Sequence, residues 1–92
     1  MKKLLPLLAL SFLLAGCGGT MQGRERCAAQ LDAAWTDLDL AKAQGFAGTV
    51  SYGKALGLLT RAKANQAVED FRDCEDTASR ARVYIAESRK GH

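Results

Sequence analysis

The apolar positions of this chain form one continuous block followed by three periodic stripes. Leu4 to Ala15 holds ten apolar residues in twelve positions. Beyond it the spacing becomes helical. Cys27, Leu31, Ala34, Leu38 and Ala41 follow at steps of 4, 3, 4 and 3, which places them on one helix face, widened by Trp35. This predicts a helix over about 24–44. Gly45 suits the left-handed position that ends a helix. Phe46 to Thr49 then reads as a loop, with Thr49 or Ser51 able to cap the next helix.

The second stripe is Tyr52, Ala55, Leu59 and Ala62, flanked by Leu56 and Leu58. It predicts a helix over about 50–65. Gly53 and Gly57 each lower helix propensity by about 1 kcal/mol relative to Ala. They mark either a close helix contact or an open surface. The third stripe is Phe71, Cys74, Ala78, Ala81 and Ile85, over about 68–88. Glu69, Asp70, Asp73, Glu75 and Asp76 crowd its start, while Arg80, Arg82, Arg89 and Lys90 lie toward its end. That order complements the helix macrodipole and puts a break near Asn65–Gln66, although no Gly or Pro marks it.

Composition changes the picture at the amino terminus. The net charge of the 92 residues is +3, from 13 basic and 10 acidic side chains. Lys2 and Lys3 supply two of the basic groups, so the chain from residue 17 onward is nearly neutral. A nucleic-acid partner loses its electrostatic basis. The apolar block makes about 18 Å of helix, too short for a hydrocarbon core of about 30 Å. Two lysines followed by such a block read as a signal peptide, residues 1–16.

Leu14-Ala15-Gly16-Cys17 resembles the bacterial lipobox, the motif of lipoproteins processed by signal peptidase II. The resemblance implies cleavage between Gly16 and Cys17. It also implies a covalent diacylglycerol and an N-acyl chain on Cys17, and a stable anchor in a lipid membrane. Gly18, where enteric sorting uses Asp for inner-membrane retention, implies the outer membrane, with the domain facing the periplasm. Residues 17–23, with Gly18, Gly19 and Gly23, read as a flexible tether, and residues 24–90 as the helical domain.

With Cys17 assigned to lipid, Cys27 and Cys74 are left as a pair in an oxidising compartment, where a disulfide is expected. The pair also discriminates between folds. A two-helix hairpin turning near residue 47 sets Cys27 opposite about residue 67, leaving Cys74 about 10 Å away along the axis, too far to bridge. An up-down-up bundle brings the two cysteines to similar height. The expected fold is therefore an all-α three-helix bundle, with the two-helix hairpin as the alternative.

Catalytic chemistry is not indicated. The single histidine is His92, there is no phosphate-binding glycine loop, and neither a nucleophile–base pair nor metal-ligand spacing occurs. The expectation is a non-enzyme without cofactor or metal. The candidate partner contacts are Phe46 and Tyr52 at the end of the bundle away from Cys27, and Arg80, Arg82 and Arg89, whose charge suits peptidoglycan carboxylates.

The segment Tyr52-x-x-Ala55-Leu56-x-x-Leu59-x-x-Ala62, with Glu69-Asp70-Phe71 and Ala78-x-x-Ala81, resembles the small Ala-rich helical domains of Gram-negative outer-membrane lipoproteins. It also resembles a tetratricopeptide-like helix pair. Lys90 near the end is similar in place to the murein-linked lysine of the major murein lipoprotein, but Gly91-His92 follow it here. These likenesses imply a structural or adaptor component of the cell envelope, bound to another envelope protein. The alternatives are a pilotin-like escort of a secretion or pilus protein and a peptidoglycan-proximal stress lipoprotein.

Overall fold

A computed structural model describes residues 21–92 in full and the helical backbone from residue 4. Three helices follow in order: α1 (Leu4–Ala43), α2 (Val50–Ala67) and α3 (Phe71–Ser88). The signal segment, with Gly16 and Cys17, lies outside the fully described residues. Gly23 was expected to close the tether at 17–23, yet it is helical. A Cβ at Gly23 would stand 3.6 Å from Cβ of Phe71, so α1 has a packing partner on α3 already at that level.

All three helices stop in the same way. At the end of α1, Phe46 N–H donates to the Ala41 carbonyl and Gly45 N–H to that of Lys42, both at 3.0 Å. Gly45 has φ 94°. This paired closure satisfies the free carbonyls of the last turn. At the end of α2, Asp70 N–H donates to Asn65 and Glu69 N–H to Gln66, at 2.8 and 3.0 Å. At the end of α3, His92 and Gly91 donate to Glu87 and Ser88. The middle closure is built on Glu69, with φ 61°, a left-handed conformation in which Cβ is crowded.

This closure explains where the second break falls. The expected position near 65–66 shifts to 68–70, because the motif needs Asn65 and Gln66 inside the helix as acceptors. Asp70 then caps α3, its side chain accepting from Asp73 N–H. Thr49 caps α2 by accepting from Tyr52 N–H at 3.2 Å, and the His92 carbonyl takes Ser51 N–H at 3.1 Å.

The core is the three stripes brought together. Cys27, Leu31, Ala34, Leu38 and Ala41 from α1 are buried, as are Ala55, Leu59 and Ala62 from α2 and Cys74, Ala78, Ala81 and Ile85 from α3. Half of these twelve residues are alanines, so little volume separates the helix axes and backbones approach closely. Trp35, Phe46, Tyr52, Leu58, Phe71 and Tyr84 close the edges. Gly53 and Gly57 meet nothing within 4 Å of a built Cβ, so the open-surface reading holds and the close-contact reading does not.

The bundle is up-down-up, and the alternative hairpin is excluded. Cys27 and Cys74 form a disulfide with Cα atoms 5.4 Å apart. Further along the same two helices, Arg82 reaches Asp37 at 3.3 Å and Arg89 reaches Gln44 at 3.0 Å. Partners that climb both helices together define parallel strands of the bundle in a fixed register. α2 returns between them, with Lys54 beside Tyr84.

Two stability measurements check this account. The bridge joins residues 47 positions apart, and the chain-entropy model gives such a loop about 4 kcal/mol. The double variant Cys27→Ala/Cys74→Ala is expected to lose that much in urea unfolding. Glu69→Gly is expected to gain about 1 kcal/mol, because the Arg24–Glu69 pair it removes is exposed on both sides at 3.5 Å and such pairs contribute little.

Candidate functional site: a basic groove between the second and third helices

Charge is distributed unevenly among the helices. α2 carries Lys54, Arg61 and Lys63 and no acidic residue. On α2, Lys54, Leu58 and Arg61 lie within two turns of one another and share a side. On α3, Arg80 and Tyr84 are one turn apart. The antiparallel packing of α2 on α3 brings these five together with Gly57 around a cavity of about 390 Å³. Leu58 and Tyr84 are half-buried and form its apolar wall, while Lys54, Arg61 and Arg80 are exposed at its rim.

No carboxylate lines this groove. Two further surface depressions do contain carboxylates, Glu75 in one and Asp37 and Glu87 in the other. Among the described residues, Lys54, Arg61 and Arg80 form no ion pair. The Lys54 ammonium stands 5.5 Å from the centre of the Tyr84 ring, a cation–π distance that leaves its donors free. Two guanidinium forks and an ammonium around an apolar wall are groups whose chemistry suits an anion.

The sequence-predicted contacts are dispersed by the fold. Arg80 is in the groove. Arg82 is turned toward α1, where it donates to Asp37 and to Gln30, each at 3.3 Å. Arg89 also faces α1 and donates to Gln44. The reason is helical rotation: two residues are about 200° apart, so Arg80 and Arg82 point to opposite neighbours. Phe46, expected to be exposed, is half-buried against the core, and its carbonyl accepts from the Thr49 hydroxyl at 2.8 Å. Tyr52 is likewise half-buried at the core edge. Lys54 and Arg61 were missed by sequence reasoning. The signal that would have found them is the acid-free stretch from Val50 to Ala67.

Cys27 and Cys74 are fully buried and joined, so they offer no thiol chemistry at the surface. Among the described residues, no group of three His, Cys, Asp or Glu side chains could hold a metal ion. No described helix is long and apolar enough to cross a membrane. At the start of α3, the Asp73 carboxyl is raised above its ordinary value. The hydrogen bond with Asp70 is the main cause, followed by the like charge of Asp70 and by desolvation, and Arg61 opposes them. Arg61 therefore feels a carboxylate beyond the groove wall, without pairing to it.

No protein-family model matches the chain, and no curated protein or solved structure matches it at a significant level.

A raised carboxyl binds its proton more readily in the folded chain than in the unfolded one. Its contribution is therefore favourable in acid and is lost as pH rises through the raised value. Asp73→Asn keeps the first-turn hydrogen-bonding capacity and removes the repulsion from Asp70. Its Tm relative to the parent chain is expected to be higher at pH 7 than at about pH 3, below the ordinary carboxylate range. Paired thermal melts at the two pH values check this.

Proposed function

We propose that this chain is a membrane-anchored lipoprotein whose helical domain faces the periplasm and serves as a structural or adaptor component of the cell envelope. One observation carries the reading: Lys2-Lys3, the apolar block Leu4–Ala15 and Leu14-Ala15-Gly16-Cys17 occur in the order that lipid modification requires. A diacylated amino-terminal Cys17 holds a small domain on a bilayer stably, because each buried methylene adds about 0.8 kcal/mol and two or more chains act together.

The bundle supports this placement on independent grounds. A buried disulfide suits an oxidising compartment such as the periplasm. A core half composed of alanines depends on such a staple, since a domain this small has little apolar area to bury. The groove side chains are cations, a phenol and a leucine, which bind and do not provide a nucleophile with its base. An adaptor needs a rigid body, an anchor and a recognition face, and the chain supplies all three in fewer than a hundred residues.

The test is processing and fractionation in a Gram-negative host. Intact mass of the purified chain is expected to show a first residue at Cys17 with the mass of three acyl chains and glycerol added. The protein is expected in the outer-membrane fraction. Cys17→Ala is expected to abolish both the added mass and the cleavage. An unmodified chain beginning at Met1, recovered from the aqueous fraction, overturns the reading.

A further inference from the structure

We infer that the groove between α2 and α3 is a binding site for the phosphate group of an anionic phospholipid, seated between Arg61 and Arg80 with its apolar part against Leu58 and Tyr84. Charge comes first. Three cations meet there with no carboxylate in the lining and no ion pair to any described residue. Elsewhere Arg24, Arg82 and Lys90 each have a carboxylate within 3.5 Å. Three cations gathered around one apolar wall, with no carboxylate in the lining, make a place where an external anion lowers the free energy.

Size and shape select the class of anion. A volume of about 390 Å³ lies at the lower end for small-molecule sites, and it suits a headgroup and not a folded partner element. Arginine forks match phosphate oxygens in pairs. Leu58 and the Tyr84 ring cover an apolar continuation of the ligand, which free phosphate does not have. Gly57 leaves the α2 backbone bare at the groove floor, with nothing within 4 Å of a built Cβ. An alanine there would favour the helix, and no contact inside the chain offsets the glycine.

The outer surface of α2 fits the same ligand. Gly53, Gly57, Thr60 and Ala64 are exposed on it, and this low relief lets a bilayer surface approach Lys54 and Arg61. Juxtamembrane cations are drawn to an anionic leaflet by its surface potential. The source of the phosphate, the bilayer itself, rests on the lipoprotein reading above, while the groove and its selectivity do not depend on whether Cys17 is acylated.

The experiment places the full chain in nanodiscs of phosphatidylcholine and follows the backbone amides of Gly57 and Tyr84 by NMR. The titrants are dihexanoyl phosphatidylglycerol, dihexanoyl phosphatidylcholine and inorganic phosphate, all below micelle-forming concentrations. Saturable shifts with the anionic lipid are expected, at least about tenfold tighter than with either of the other two. Arg61→Gln/Arg80→Gln is expected to weaken that binding by about tenfold or more, since two charge-assisted contacts are lost. Lys63→Gln/Arg72→Gln removes the same charge outside the groove and is expected to change it less than about twofold. All four side chains are exposed, so both variants keep the fold, as circular dichroism verifies. Inorganic phosphate binding as tightly as the lipid makes this a free-phosphate site and overturns the assignment. So does equal affinity for the two lipids, and so does equal weakening by the two double variants.

Discussion

The parallel register of α1 and α3 is the constraint on which the rest of this bundle depends. Two parallel helices cannot follow each other directly in sequence, and only a returning α2 makes their pairing possible. The Cys27–Cys74 bridge joins the middle of α1 to the first turn of α3 at a Cα separation of 5.4 Å. Arg82–Asp37 and Arg89–Gln44, each 45 residues apart in sequence, continue the parallel alignment toward the far end. Those exposed contacts are individually weak. Covalent closure is what makes the offset unique, because an alanine-rich interface offers few large side chains to specify register.

Fixing α3 against α1 also fixes which face of α3 remains for α2. Positions Cys74, Ala78, Ala81 and Ile85 point to the centre, Arg82 and Arg89 go to α1, and Arg80 and Tyr84 are left for the second helix. The alanines at Ala55, Ala62, Ala78 and Ala81 then let α2 approach closely. A bulkier seam would part the two helices and open the groove into a flat surface. The groove is thus a by-product of small core residues, formed where long side chains from two helices meet above a thin interface.

Most of the architecture was legible because burial imposes periodicity. Every member of the first stripe is buried, and the third differs only at Phe71, which lies half-exposed beneath the Arg24 guanidinium at 5.2 Å. Once the lipobox resemblance set Cys17 aside and left Cys27 and Cys74 as a pair, their spacing favoured three helices over two. The boundary after α2 was less legible because a glutamate, Glu69, holds the left-handed position that glycine normally announces. The site was least legible. Which arginines converge depends on how each helix is rotated about its axis, and that rotation is set by contacts from the other two. Arg80, Arg82 and Arg89 look like one basic tract along the chain, yet they serve two different neighbours. Phe46 looked exposed between glycines, but Thr49 bonds to its carbonyl and holds the loop so that the ring folds back on the core.

The division of labour among the helices follows from the same rotation. Between α1 and α3, Arg82 pairs with Asp37, and Arg89 just past α3 donates to Gln44 just past α1. α2 has only cations, and among the described residues neither Lys54 nor Arg61 forms an ion pair, although Arg61 feels the charge of Asp73 on α3. Its two exposed glycines lower its intrinsic helix propensity, and it depends for stability on a hydroxyl cap at Thr49, a backbone cap from His92 and its buried alanine-leucine seam. Helical stability of this kind comes from tertiary packing more than from propensity. A helix kept thin, cationic and held mainly by its neighbours is free to present its outward face to a ligand without altering the core. The proposed groove accordingly takes Lys54, Gly57, Leu58 and Arg61 from α2, the element that contributes neither cysteine to the staple, and Arg80 and Tyr84 from α3.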